Sequence, residues 1–267
     1  MTVKKIKVSA VSYLNTLPFL YGIKNSEVEK EIDLSLDIPS DCAKKLLSGE
    51  VDLGLVPVAI LPQLKEYYII SDYCIGAEGE VDSVALYSDV PLNEIENILL
   101  DYHSKTSVNL VQVLAKKYWD ISPNWINTTE GFEYEIEGKT AGVIIGDRTF
   151  NLSKVYKCKY DLAEEWRKFT GLPFVFACWV SNKELPVSFI TQFNKALEQG
   201  VNNIGEVVKG YNEASISKEN LLTYLTNNIS YSLDENKRKA IDKFLGLIKK
   251  ENPSRLLLSQ NVLRITK

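Results

Sequence analysis

Apolar and polar positions alternate with two periods in the first third of the chain. KKIKVSAV (residues 4–11) is β-branched and two-fold periodic, a first strand, and IDLSLDI (32–38) reads as a second. PSDCAKKLLSGE (39–50) carries a helical pattern, with Ser40 or Asp41 as the expected cap and Gly49 as the stop. VDLGLVP (51–57) is a short buried strand cut off by Pro57, VAILPQLKE (58–66) looks helical, and YYIISDYCI (67–75) is a further strand. Between the first two strands, VSYLNTLPF (11–19) predicts a strand end and a short helix, capped by Asn15 or Thr16, with Pro18 in its first turn. This β-α-β-α-β order predicts an α/β unit with a largely parallel sheet.

DSVALYS (82–88) is another strand, after which the pattern restarts. IENILLDY, SKTSVNLVQVLAKKYW, TAGVIIGD, YDLAEEWRKFTG and LPFVFACWVS read as strand, helix, strand, helix and strand. Three helical segments follow, 188–208, 217–227 and 233–250, with no convincing strand among them. Two strands thus bracket a self-contained α/β block, which predicts an inserted lobe. The expected lobes are 1–88 plus 178–267, and 89–177. A hinged pair of this kind encloses a cleft beyond the carboxyl ends of its strands.

Composition narrows the partners. With 31 basic and 35 acidic residues the net charge is −4, and no basic stretch is interleaved with aromatics, so nucleic acid is a poor partner. No apolar run approaches the ~20 residues that span a bilayer, and MTVKKIKVSAVSYL lacks a signal-peptide pattern, so a cytoplasmic protein is expected. Cys42, Cys74, Cys158 and Cys178 are widely spaced, and His103 is the lone histidine; reduced thiols and no metal site are expected. No cofactor motif appears: there is no P-loop and no GxGxxG after a strand.

Polar residues collect where this layout places a cleft. Ser12, Tyr13, Asn15 and Thr16 end the first strand; Ser104, Thr106 and Ser107 occupy the equivalent place in the second lobe. Ser83 lies at the first crossing, and Gly146 and Asp147 end the strand VIIGD. Helix N-termini with added hydroxyls bind carboxylates without a cation. Each such residue taken singly reads as an ordinary cap; only the set as a whole reads equally as a binding site. Asp147 and Asp101 read either as acid–base groups or as turn caps, while Trp166, Trp179 and Phe176 read as core.

VSYLNTLPF, VDLGLVP, DSVALYS, the SKTS helix start, IGD and YDLAEEWRKFTGLPFVFACWV together resemble the chorismate dehydratases of the futalosine route to menaquinone. The matches run from Val11 to Val180. The resemblance implies the two-lobed fold of periplasmic solute-binding proteins (type II), used as an intracellular enzyme. It implies removal of water from the dicarboxylate chorismate to give 3-[(1-carboxyvinyl)oxy]benzoate, with no cofactor. Asn15 and Asp147 are then the candidate catalytic groups: Asn15 holding the substrate's own enolpyruvyl carboxylate as base, or Asp147 itself the base. Ser12, Tyr13, Thr16, Ser83, Ser104, Thr106, Ser107 and Gly146 are the candidate substrate contacts. Lys105 stands where an arginine is common in the family, so a bidentate carboxylate contact is not expected there.

Two other readings use the same cleft. One is a non-enzymatic solute-binding or sensing protein for a small carboxylate, since fold does not dictate function. The other is the sister enzyme acting on a cyclic dehypoxanthine futalosine, whose opening motif differs from VSYLNTLPF. The oligomeric state and the role of His103 do not follow from the sequence.

Overall fold

The computed structural model describes residues 5–213 and 215–251. Strands β1 (Ile6–Val11), β2 (Ile32–Asp37), β3 (Leu53–Pro57) and β4 (Tyr68–Ala77) build the first lobe, with helices α1 (Leu17–Lys24), α2 (Val28–Glu31) and α3 (Pro39–Ser48) between them. The chain crosses at residues 78–83 into a second lobe of β5 (Val84–Ser88), β6 (Asn97–Leu100), β7 (Asn124–Asn127), β8 (Thr140–Ile145) and β9 (Cys158–Asp161). Helix α4 (Lys105–Leu114) follows β6, and α5 (Leu162–Thr170) follows β9. Strand β10 (Phe174–Ser181) re-enters the first lobe, followed by α6 (Val187–Val201), α7 (Ile204–Gly210), α8 (Lys218–Thr223), β11 (Ser230–Ser232) and α9 (Glu235–Glu251).

The two sheets run β11-β4-β10-β3-β1-β2 and β7-β6-β8-β5-β9. Neither is largely parallel, contrary to the sequence expectation. β1 pairs parallel with β2 and β3, and β6 parallel with β7 and β8. β10 instead enters between β3 and β4, antiparallel to both, and β5 pairs antiparallel with β8 and β9. The two strands that adjoin the crossings, together with the edge strand β11, which pairs antiparallel with β4, give the sheets their mixed character. Strand pairing also puts β5 in the second sheet and all of β10 in the first, so the sheets change at 78–83 and 171–173 rather than at 88 and 178.

Local chemistry accounts for most element ends, with corrections. Gly49 and Gly171 close α3 and α5 in the left-handed region, and Ser104 and Asp161 cap α4 and α5 with their side chains. Thr16 stands at the N-cap of α1 but makes no side-chain capping bond, and neither Ser40 nor Asp41 caps α3, which opens on Pro39 with Ser40 inside it. Residues 58–63 form a 3-10 turn, since Pro62 denies a longer helix its hydrogen bond. Short β7, β9 and β11 went unanticipated, and the segment 188–208 breaks between α6 and α7.

Close packing fixes α1 in place. A Cβ on Gly22 would lie 1.8 Å from the Ala196 carbonyl oxygen, and one on Gly200 1.7 Å from that of Pro18. Helices α1 and α6 therefore touch backbone to backbone, which only glycine permits. At the second crossing, Trp166 of α5 packs edge-on against Phe174 of β10 and Phe244 of α9, and its indole N–H donates to the Pro173 carbonyl at 3.0 Å. Burial of such a side chain stabilises by about 1.5–3 kcal/mol, here across the lobe junction. Trp179 is core as expected. Phe176 is buried too, but it lines the interlobe cavity.

Candidate functional site between the lobes

Four residue pairs among the described residues hydrogen-bond from one lobe to the other and shut the cleft. The Leu14 N–H donates to both Asp147 carboxylate oxygens at 3.1 Å. Tyr13 Oη and His103 Nδ1 share a hydrogen bond of 2.5 Å, and the Ser40 N–H donates to the His103 carbonyl at 2.9 Å. The Ala59 N–H donates to Thr106 Oγ1 at 3.2 Å. Turns after β1 and β3 and the first residues of α3 thus meet the strand ends and the α4 start of the second lobe.

Beneath these bonds lies a cavity with about 460 Å³ of empty space, part of it open to solvent. Tyr13, Asn15, Ser83, Ser104, Ser107 and Gly146 supply its polar lining and backbone. Pro39, Pro57, Ile75 and Phe176 supply apolar wall. No charged side chain lines it among the described residues. Ser104 accepts from the Ser107 N–H and from Ser107 Oγ, both at 3.2 Å, at the N-terminus of α4, the positive end of that helix.

Gly146 is required by its neighbour. Its φ of 70° is left-handed, and a Cβ there would meet the Tyr13 ring at 2.6 Å. Its N–H donates to the Ser83 carbonyl at 2.8 Å, which ties the end of β8 to the first crossing. Tyr13 thus lies against bare backbone, its ring stacked near His103 with centroids 6.1 Å apart. Burial pushes the Tyr13 phenol well up, with a smaller push from Asp101, so it keeps its proton. Burial, then Arg148, pushes His103 below its ordinary value, which favours the neutral ring.

The remaining expected site residues fall elsewhere. Ser12 is exposed, and only its N–H is engaged, donating to the Asp37 carbonyl. Thr16 is fully buried behind Asn15, to whose Oδ1 it donates at 3.3 Å. Thr106 spends its hydroxyl on Ala59. Asp147 lies with His103, Tyr102 and Arg148 along an outer groove, not on the inner cavity wall. Burial raises its carboxyl to about 6, the Leu14 N–H opposing this. Asp101 is structural: its fully sequestered carboxylate accepts from the His103 and Ile145 N–H groups and pairs with Arg148. Exposed Lys105 contributes no charge to the cavity.

Sequence reasoning missed Tyr224. It opens a π-helical turn, Tyr224–Asn228, after α8 and is fully buried behind the cavity wall. Its Oη bonds Ser83 Oγ at 2.8 Å and accepts from Asn15 Nδ2 at 3.2 Å. Nothing in the C-terminal helical pattern distinguished this tyrosine from a core residue. No group of three His, Cys, Asp or Glu side chains among the described residues is arranged to hold a metal, and no described helix is long and apolar enough to cross a membrane. The described thiols are all free.

Similar folds are known. A structural-genomics protein from Archaeoglobus fulgidus superposes with a TM-score of 0.71 at 13% identity, covering 93% of this chain and 98% of its own. The alkanesulfonate-binding protein SsuA from Xanthomonas axonopodis pv. citri, bound to MOPS, superposes at 0.61 with 13% identity, covering 97% and 96%. These establish the two-lobed binding-protein fold. Chorismate dehydratase of Thermus thermophilus is 28% identical over 233 residues, 79% of this chain and 85% of that one. The family model described as menaquinone biosynthesis matches residues 6–250, and the chain belongs to that family.

Proposed function

We propose that the protein is a chorismate dehydratase, a hydro-lyase that converts chorismate and releases water and 3-[(1-carboxyvinyl)oxy]benzoate. The observation that carries this reading is the interlobe cavity, lined by neutral donors at a helix N-terminus and by apolar wall, with no charged side chain. A dicarboxylate with an apolar ring matches that lining. The likeness to the Thermus thermophilus enzyme supports the same substrate. A cytoplasmic location is part of this reading.

The chemistry asks little of the protein. A base takes the C3 proton, the electron pair enters the ring, and the C4–O bond breaks. The departing hydroxide takes up a proton and leaves as water, and the ring becomes aromatic. While the proton leaves, negative charge spreads onto the ring carboxylate, which aimed donors stabilise. In this reading Ser104, Ser107 and the α4 N-terminus hold one carboxylate, and Asn15 and Ser83 hold the other. The enolpyruvyl carboxylate, fixed by Asn15, is the base and returns the proton to the leaving hydroxide. Asp147, with both oxygens on the Leu14 N–H, serves closure; this favours the substrate's carboxylate over Asp147 as base.

The test is incubation of purified protein with chorismate, followed by liquid chromatography and mass spectrometry. Loss of one water to an aromatic enolpyruvyl ether is the expected result. Tight binding of chorismate without turnover overturns the enzyme reading in favour of a carboxylate-binding protein.

A further inference from the structure

The bonds around Tyr224 have a direction, and the direction is forced. Thr16 Oγ1 donates to Asn15 Oδ1, which turns the Asn15 amide nitrogen toward Tyr224. That nitrogen has no lone pair to offer, so it donates to Tyr224 Oη. The phenol then has one proton and, among its described partners, one acceptor left for it, Ser83 Oγ at 2.8 Å. Were Ser83 to donate instead, the Tyr224 proton would be stranded in a fully buried place. Burial raises Tyr224 well above the ordinary phenol range, so the proton is present.

We infer that Tyr224 is a positioning residue that makes Ser83 a hydrogen-bond donor to the substrate. With Tyr224 donating to one of its two lone pairs, the Ser83 hydroxyl proton is released toward the cavity that Ser83 lines. The second amide proton of Asn15 is released in the same way. The chain Thr16–Asn15–Tyr224–Ser83 thus ends in two donors and presents no acceptor preference to the ligand. It favours a carboxylate, which accepts from both, over a donor-only group such as an ammonium at that end of the cavity. Neighbouring aromatics hold Tyr224 and Asn15 in register. The Tyr224 ring meets Phe150 edge-on with centroids 4.9 Å apart, and Tyr231 Oη donates to the Asn15 carbonyl at 3.0 Å. The inference rests on the dehydratase reading, through the identity of the carboxylate.

The test compares wild type, Tyr224→Phe, Ser83→Ala and the double variant for chorismate turnover, with thermal melting of each. Tyr224→Phe keeps the ring and its packing. The expected result is a fall in kcat/KM of about 10- to 100-fold, the size of one misdirected buried donor, with KM raised and the melting temperature within a few degrees of wild type. Ser83→Ala in the Tyr224→Phe background should then cost less than about threefold more, because the two act as a unit. Full activity in Tyr224→Phe, or additive losses in the double variant, overturns the inference. Wild type that binds chorismate but does not turn it over overturns the dehydratase reading instead. In that case chorismate affinity by calorimetry replaces turnover, and equal affinity in wild type and Tyr224→Phe overturns the role of Tyr224.

Discussion

Asp147 and Leu14 lie 133 residues apart in sequence, yet the Asp147 carboxylate takes the Leu14 N–H on both oxygens across the cleft. A buried carboxylate that faces one neutral donor is under-compensated, and burial accordingly raises it to about 6. A raised folded-state value means that the protonated form is favoured by folding. Its contribution is fully present below the unfolded value of 3.8 and is lost as pH rises through about 6.

Asp147→Asn keeps an oxygen for Leu14 and removes the charge. The variant should match wild type in stability near pH 4 and exceed it above pH 6, by on the order of 2 kcal/mol. Urea unfolding from pH 4 to pH 8 measures this. A difference independent of pH would mean that Asp147 is ionised without cost.

Thr106→Val preserves shape and removes the acceptor of the Ala59 N–H. A buried backbone donor is then left unpaired, at a cost of about 1–3 kcal/mol. Because this bond joins the lobes, the closed form should suffer more than either lobe. Small-angle scattering should show a larger radius of gyration for the variant without ligand.

Gly146→Ala forces a Cβ into the Tyr13 ring and places a side chain at a φ of 70°. The expected loss is about 1–2 kcal/mol from backbone strain alone. Tyr13 must also move from His103. A melting temperature lowered together with turnover is the expected pair of results, and a crystal structure of the variant would show Tyr13 displaced.

Asn15→Asp adds a negative charge to a cavity lined by no charged side chain. Chorismate affinity should fall by at least about a hundredfold, as like charges meet in a partly dry site. Asn15→Ala should instead lose turnover more than affinity. Calorimetry and steady-state kinetics separate the two.

The parts legible in the sequence were those written in short-range chemistry. The β1 end, the SKTS start and VIIGD each announce a strand end or a helix cap, and Tyr13, Asn15, Ser83, Ser104, Ser107 and Gly146 do meet at one cavity. Ser12 and Thr16 failed because side-chain direction alternates within a few residues, and Thr106 because its hydroxyl is claimed by a distant backbone. The mixed sheets were hidden because pairing is non-local: nothing in LPFVFACWVS states that β10 will run between β3 and β4. Tyr224 was hidden for the same reason, since its partners lie 141 and 209 residues away.

The placement of β10 also orders events during synthesis. The second sheet draws only on residues 84–161, so it is whole as soon as that stretch has left the ribosome. The first sheet has no connection between β3 and β4 until residue 181 is made, and β11 joins its edge only near residue 232. VSYLNTLPF, translated well before Tyr224 and Tyr231, must therefore wait for both before its asparagine is set. The inserted lobe is the natural first folding unit. A nascent chain stalled with β9 emerged and β10 still in the exit tunnel should already protect β5–β9 from proteolysis while β1–β4 are still cut.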